Sequence, residues 1–171
     1  MIEFVTGDIF NTDCDIIAHQ VNCKGVMGAG IALSVKKRYY HVYDIYKQYC
    51  SSMPYEDLLG RTQLVDTKDG RYIANMFSQL DYGSGKKFTN YTAFETCCET
   101  LRNIIIQRNN NKEFFRTWSI AFPYKIGCNR GGGNWDIILK IIERYFGGDD
   151  IKCKIYKLDE VSVNERRKNI F

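Results

Sequence analysis

The sequence predicts an α/β domain in which a largely parallel sheet lies between two layers of helices. Short apolar segments alternate with amphipathic segments along the chain, a pattern that is typical of parallel sheets with helical crossovers. Two glycine clusters each follow a predicted strand and precede a predicted helix. With 171 residues and 44% hydrophobic content, the chain is long enough for one domain with a sizeable core.

The first half of the chain begins with two predicted strands. These strands cover residues 2–5 and 14–21, and the second, CDIIAHQV, is apolar enough to lie inside a sheet that is covered on both faces. A helix is predicted from about Ala29, because apolar residues recur there at helical spacing and the basic run 36–38 suits a helix C-terminus. A second helical piece at 41–49 continues it after a bend.

The second half contains a hairpin, a long helix, a buried strand, a shorter helix and a last strand. An Asp-Gly pair between two apolar runs predicts the hairpin, because glycine readily adopts the positive φ that such a turn needs. The predicted ranges are 62–66 and 71–77 for the hairpin, then 90–108, 117–122, 135–146 and 151–158. In a parallel sheet of this kind, ligands bind at the carboxyl ends of the strands.

The seven cysteines favour reduced thiols over a disulfide framework or a zinc site. Their number is odd, no C-x-x-C pair occurs, and most lie within apolar runs. We therefore expect a cytoplasmic protein with no metal and no cofactor.

The N-terminal segment MIEFVTGDIF lacks the basic and long apolar regions of a signal peptide, and no apolar run approaches the length of a membrane span. We expect no membrane association. The formal net charge of +4 includes the basic run 166–168 near the end of the chain, so it argues only weakly for a polyanionic partner.

The glycine clusters at residues 25–30 and 131–133 predict a binding site. Each precedes a helix N-terminus, where unpaired N–H groups and the positive end of the helix dipole favour anions. Two such junctions at one edge of the sheet would bind two phosphates, as in a nucleotide.

Two further side chains near this edge have open interpretations. Asp8 could accept a hydrogen bond from the exocyclic amine of adenine, or it could be a turn residue that bonds its own backbone, which the dipeptide alone favours. Asn22 could bind ribose hydroxyls, or it could form a turn.

The complete pattern resembles the macrodomain family of ADP-ribose-binding modules. The matching segments are Gly7-Asp8-Ile9, AHQVNCKGVMGAGIALSVKKRYY (18–40), IAFPYKIGCNRGGGNW (120–135) and KIYKLD (154–159). The resemblance covers residues 1–159 and leaves 160–171 as a polar C-terminal extension. It implies a three-layer α/β/α fold with a mixed, mostly parallel central sheet.

The resemblance also implies a set of binding residues for ADP-ribose. Asp8 and Ile9 would contact adenine, Asn22 would face the distal ribose, and the two glycine loops would hold the phosphates. The full set is Asp8, Ile9, Asn22, Gly28, Ala29, Gly30, Ile31, Ala32, Pro123, Ile126, Gly127, Cys128, Gly131, Gly132, Gly133, Tyr156 and Leu158.

Within the family, the chain looks closest to the ADP-ribosyl-glutamate hydrolases and the ADP-ribose-1''-phosphate phosphatases. The segment VMGAGIA also resembles enzymes that remove ADP-ribose from DNA. The glutamate-linked hydrolases pair a lysine with an aspartate, and Gln79 and Gly131 occupy those positions here. A shifted loop could supply Lys86 or Lys87 instead, although surface lysines are more often solvated.

Ala18-His19 matches the phosphatase-like members, so His19 and Asn22 are the catalytic candidates. A core histidine bonded to a neighbouring carbonyl is the alternative for His19. We expect a monomeric hydrolase of an ADP-ribose derivative, with nucleic acid a partner only as an ADP-ribosylated substrate. The alternative is a reader that binds ADP-ribose without cleaving it.

Overall fold

The computed structural model describes residues 1–83 and 85–159, so the predicted C-terminal extension at 160–171 lies outside the described residues. The strands are β1 (Ile2–Thr6), β2 (Ile16–Asn22), β3 (Thr62–Asp66), β4 (Tyr72–Gln79), β5 (Ile120–Pro123) and β6 (Cys153–Lys157). The helices are α1 (Gly30–Arg38), α2 (Tyr40–Cys50), α3 (Tyr55–Leu58), α4 (Tyr91–Asn110) and α5 (Trp135–Phe146). A 3-10 turn covers Ile9–Asn11.

The strands form one sheet in the order β1-β6-β5-β2-β4-β3. All neighbouring pairs are parallel except β3 and β4, which form the predicted antiparallel hairpin. The sheet is therefore mixed and mostly parallel, which confirms the predicted fold class.

Helices cover both faces of this sheet, and the alternation of side chains along β2 explains how. Ile16 and Ala18 pack in the core cluster with residues of α4 and α5. Ile17 and Val21 point to the opposite face and pack in the cluster with residues of α1 and α2. The apolar character of β2 thus follows from burial on both of its faces.

Strands β2, β5 and β6 begin two or three residues later than predicted, and at β2 and β5 side chains bond the backbone at the N-terminal ends. Ser119 donates from its N–H and its hydroxyl to the Asp15 carboxylate, at 2.9 and 2.7 Å. Trp118 donates its N–H to Asn109 Oδ1 at 2.6 Å, and Cys14 donates its N–H to Thr12 Oγ1 at 3.1 Å. These backbone groups are not available to the sheet, so β2 and β5 start at residues 16 and 120.

Candidate functional site

Two loops lie at the carboxyl ends of neighbouring strands. The first loop, residues 23–29, joins β2 to α1, and the second loop, residues 124–134, joins β5 to α5. Because β2 and β5 are parallel neighbours, both loops lie at the same edge of the sheet. The predicted juxtaposition of the two glycine clusters is confirmed.

Asn22 shapes the first loop. Its Oδ1 accepts hydrogen bonds from the N–H groups of Lys24 (3.0 Å) and Val26 (3.2 Å), and its Nδ2 donates to the Val26 carbonyl (2.7 Å). Asn22 is only 6% exposed. This geometry is that of the turn-forming alternative, and contact with a ribose stays a prediction.

The N-terminus of α1 is open. Its N-cap is Ala29, no side chain caps it, and its first turn contains no acidic residue. Leu33 donates its N–H to the Ala29 carbonyl at 3.2 Å, so the N–H groups of Gly30, Ile31 and Ala32 precede the first bond of the helix. Such a turn is suited to an anion.

The N-terminus of α5 is closed, and the prediction that a second helix N-terminus offers unpaired N–H groups is wrong. Asn134 caps this helix, since its Oδ1 accepts from the N–H groups of Asp136 (2.8 Å) and Ile137 (3.3 Å). The Asp136 carboxylate also lies in the first turn, where its negative charge complements the helix dipole. A phosphate would therefore meet the second loop itself and not the helix that follows it.

Glycine is required in the second loop by close contacts. A Cβ atom at Gly131 would lie 2.4 Å from the Gly127 carbonyl oxygen, and one at Gly132 would lie 2.8 Å from the Lys86 carbonyl oxygen. The N–H groups of Phe88 and Thr89 donate to the Gly131 carbonyl at 2.8 and 3.0 Å. The second loop is thus packed tightly against residues 86–89.

Two predicted residues of the second loop point away from a ligand. The Ile126 side chain is buried in the core cluster of α4 and α5, and Cys128 packs against that cluster. Burial also raises the pKa of the Cys128 thiol. These two residues can offer a ligand only their backbone groups, whereas Gly132 is exposed.

The predicted adenine end is formed by β1, β6 and β5. Gly7 donates its N–H to the Lys157 carbonyl at 2.9 Å, and Tyr156 pairs with Val5 and Pro123 in the sheet. The structure thereby gathers the predicted residues of this end at one place. They are Asp8, Ile9, Pro123, Tyr156 and Leu158.

Asp8 performs the local role that the dipeptide favoured. Its Oδ1 accepts from the Phe10 N–H at 3.0 Å, and its Oδ2 lies 3.4 Å from the Arg38 guanidinium. Arg38 also lies over the Phe10 ring, 4.7 Å from the ring centroid. Adenine recognition by Asp8 stays a prediction.

The structure places His19 in the core, as the alternative interpretation described. It is 0% exposed in the middle of β2, and its Nε2 lies 2.7 Å from Asn75 Oδ1. Burial lowers the pKa of His19 to about 4. Its Nδ1 has no hydrogen-bond partner among the described residues, and its catalytic role stays a prediction.

The lysine and aspartate positions of the glutamate-linked hydrolases hold neutral groups with fixed surroundings. Gln79 pairs with Asn22, so it lies at the carboxyl end of β4, beside the first loop. Its Nε2 donates to the Asp81 carbonyl at 2.9 Å. Gly131 has no room for a side chain. The ammonium groups of Lys86 and Lys87 lie over the rings of Phe88 and Tyr91, and both lysines are exposed.

Three site residues were missed from the sequence: Gln20, Ser78 and Thr89. They are joined by hydrogen bonds beneath the second loop, where Thr89 Oγ1 donates to the Gly127 carbonyl at 2.7 Å. A polar amide in an otherwise apolar strand was the signal that could have identified Gln20.

Exposed cations surround the second loop. Among the described residues, none of them lies within ion-pair distance of a carboxylate, and the side chains of two lie over the Tyr124 ring at 5.5 and 5.6 Å. They are Lys86, Lys87, Lys125, Arg130 and Lys157. This edge of the molecule is therefore suited to an anionic partner.

Within residues 1–83 and 85–159, no group of histidine, cysteine or acidic side chains has an arrangement that could hold a metal ion. In the same ranges, no helix combines the length and the apolarity that crossing a bilayer requires.

Comparison with known proteins identifies relatives along most of the chain. No protein-family model matches it. It is 28% identical over 161 residues to a DNA ADP-ribosyl glycohydrolase of Mycobacterium tuberculosis, covering 91% of this chain and 42% of that protein. It is 27% identical over 158 residues to the human ADP-ribose glycohydrolase OARD1, covering 92% of this chain and 91% of that protein.

Among solved structures, the macrodomain of Mycobacterium tuberculosis DarG matches with a TM-score of 0.75 and 26% sequence identity. The match covers 91% of this chain and 97% of that one. The chain thus spans less than half of the mycobacterial glycohydrolase but nearly all of OARD1 and of the DarG macrodomain.

Proposed function

Because this chain is a macrodomain, we propose that it binds ADP-ribose between its two glycine loops and hydrolyses an ADP-ribose derivative held there. The observation that carries this proposal is the open N-terminus of α1 beside the loop that Asn22 shapes. A helix N-terminus typically contributes about 0.3–1 kcal/mol to the binding of an anion, and more when it is shielded from water.

The bound orientation follows from the chemistry of each end of the site. The base lies beside Ile9, Tyr156 and Asp8, because the family resemblance assigns adenine to this end; the Ile9 and Tyr156 side chains are mostly buried there, at 6% and 9% exposed. The pyrophosphate lies between the two loops. The distal ribose then reaches the edge where Asn22 and Gln79 pair.

Water is the nucleophile in this proposal. Gln79 is a neutral amide and has no amine with which to form a covalent adduct with the distal sugar. Hydrolysis adds the water oxygen to the distal end of the ligand and passes a water proton to the leaving group. Positioning of the two reactants supplies much of the rate in such a site.

A nucleic-acid strand is the proposed carrier of the ADP-ribose group. The segments 81–91, 124–134 and 157–159 contain five cations against two carboxylates, Asp81 and Asp159. The pyrophosphate itself needs fewer cations, so the excess suits the phosphates of an attached strand. The mycobacterial relative is named for activity on ADP-ribosylated DNA, which supports the same choice.

A reader that binds ADP-ribose without cleaving it is the second candidate. Three observations favour it: Gln79 and Gly131 replace the charged pair of the glutamate-linked hydrolases, and His19 is buried in the core.

The free state of all seven cysteines supports a reducing compartment, and we propose a cytoplasmic monomer in either case.

A product assay separates the two candidates. It offers the purified protein four substrates: ADP-ribose-1''-phosphate, O-acetyl-ADP-ribose, ADP-ribosyl-glutamate protein and ADP-ribosylated single-stranded DNA. The variants Asn22→Ala and His19→Ala are compared with the unchanged protein. We expect release of ADP-ribose from the DNA adduct, reduced by Asn22→Ala, whereas binding without turnover on all four substrates would favour the reader.

A further inference from the structure

We propose that Gln20 is a positioning residue that links the second loop to the distal-ribose end of the site through one hydrogen-bonded network. The Gln20 network consists of Gln20, Ser78, Gln79, Thr89 and Gly127. The inference rests on the proposed function in one respect, namely that the second loop binds phosphate.

Every hydrogen-bonding group of the Gln20 amide is used. Its Nε2 donates to Gln79 Oε1 at 2.5 Å and to Thr89 Oγ1 at 2.9 Å, and its Oε1 accepts from Ser78 Oγ at 2.9 Å. These three contacts require two donors and an acceptor on one planar group, which only a carboxamide provides. A glutamate of the same shape would lose both donors.

A β-bulge makes this arrangement possible. Val21 pairs with Phe77 and Asn22 pairs with Gln79, so Ser78 is an extra residue in β4. Successive side chains of a regular strand point to opposite faces, yet Ser78 and Gln79 both bond Gln20. Bulges commonly redirect side chains in this way next to active sites.

The second loop lies directly on the Gln20 amide. A Cβ atom at Gly127 would lie 2.7 Å from Gln20 Oε1, and one at Gly131 would lie 2.8 Å from Gln20 Nε2. Thr89 Oγ1 accepts from Gln20 and donates to the Gly127 carbonyl, which also accepts the Gly133 N–H at 2.9 Å. The amide therefore sets the height of the loop above the sheet.

The same amide holds Gln79 in one orientation. Gln79 Oε1 accepts from Gln20, and its Nε2 uses one hydrogen for the Asp81 carbonyl. The other hydrogen of Nε2 bonds no residue in the described part of the chain, at the position where the glutamate-linked hydrolases carry a lysine. A displacement of Gln20 would thus disturb both Gln79 and the second loop.

The test compares Gln20→Glu with the unchanged protein by calorimetry with ADP-ribose at about pH 7.5 and about pH 5. At the higher pH, two lost donors and a carboxylate facing Gln79 Oε1 weaken binding about 10- to 100-fold. Because partial burial raises the pKa of the introduced carboxyl above its ordinary value of about 4.3, a larger fraction of it is protonated at the lower pH, which restores one donor and recovers part of the loss. A carboxylate that only lowered the stability of the fold would leave the ADP-ribose affinity of the folded protein unchanged at both pH values.

Gln63→Glu is the matched control. Gln63 is a partly buried amide in β3 of the same sheet, and its Oε1 accepts from Asn75 Nδ2 at 2.9 Å. The substitution keeps this acceptor and removes only a long hydrogen bond from Gln63 Nε2 to the Ile45 carbonyl at 3.4 Å. Gln63 lies away from the loops, so ADP-ribose affinity should be unchanged at both pH values. If Gln20→Glu does not fold, a second pair of variants at Thr89 tests the same network. Thr89→Val should weaken binding, and Thr89→Ser, which keeps the hydroxyl, should restore it.

Hydrogen exchange in the ligand-free protein tests the network without reference to ADP-ribose. The Gly133 N–H should exchange at least about 10-fold faster in Gln20→Glu than in Gln63→Glu. Equal exchange, or equal ADP-ribose affinity at the higher pH, would overturn the inference. If exchange responds while the unchanged protein binds no ADP-ribose, the proposed function fails and the network stands.

Discussion

Replacing Tyr46 with phenylalanine removes one hydroxyl group and leaves the aromatic ring in place. The hydroxyl lies 2.7 Å from the Asn22 carbonyl oxygen and 3.0 Å from Asn22 Oδ1, and it donates its hydrogen to this pair. Tyr46 is 0% exposed, and burial raises the pKa of its hydroxyl, so the donor keeps its proton. The ring stacks on Phe77 with centroids 5.7 Å apart.

The expected loss of free energy of unfolding depends on the hydrogen bonds that Asn22 retains in the variant. Its Oδ1 retains two N–H donors, so the loss falls mainly on one buried carbonyl. An unsatisfied buried acceptor costs about 1–3 kcal/mol, and we expect the lower half of this range, about 1–2 kcal/mol. For a domain of this size that corresponds to a fall in melting temperature of about 2–8 °C. Because the first loop depends on Asn22, ADP-ribose affinity should fall as well.

The assay is urea denaturation together with calorimetry of ADP-ribose binding, and Tyr49→Phe is the control. Tyr49 also lies on α2, and its ring is 5.7 Å from Phe77, but its hydroxyl bonds no described residue. This control should change stability by less than about 0.5 kcal/mol. Equal free energies of unfolding for the two variants would show that the Tyr46 hydroxyl does not stabilise Asn22.

Three other predictions address the loops and the core. Gly28→Glu should lower ADP-ribose affinity about 10-fold or more at unchanged stability, because Gly28 is exposed and the nearest atom to an added Cβ lies at 3.6 Å. Gly132→Glu should also destabilise the fold, because Gly132 has a φ of +64° and an added Cβ would lie 2.8 Å from the Lys86 carbonyl oxygen. Equal melting temperatures for the two variants would contradict this difference. Between pH 6.5 and about 4 the unfolded chain binds a proton at His19, whereas burial keeps His19 unprotonated in the folded protein because it lowers the pKa to about 4. Stability therefore falls with decreasing pH by up to about 3 kcal/mol. Urea denaturation across this range should show a flatter profile for His19→Gln, and an unchanged profile would contradict this origin of the pH dependence. Asn134→Ala should lower the free energy of unfolding by about 0.5–2 kcal/mol, because the helix loses its N-cap, and calorimetry should show unchanged ADP-ribose affinity. A large loss of affinity would indicate that the N-terminus of α5 does contact phosphate.

Features that depend on neighbouring residues were available from the sequence. The hairpin turn at Asp69-Gly70, the helix at 135–146 and the two glycine clusters each depend on the residues within one segment. The order of these segments then determines that both clusters meet at one edge of a parallel sheet. Asn134, directly before an apolar helix, is also a local capping signal.

The hydrogen-bond partners of the site residues come from distant parts of the chain. Gln20 bonds Gln79 and Thr89, which are 59 and 69 residues away, and Tyr46 bonds Asn22 across 24 residues. No periodicity or spacing encodes such pairs, because they form only after strands and helices from distant parts of the chain have packed together. Local sequence patterns thus place both loops at one edge of the sheet, whereas long-range packing selects the side chains that shape these loops and those that stay open to a ligand.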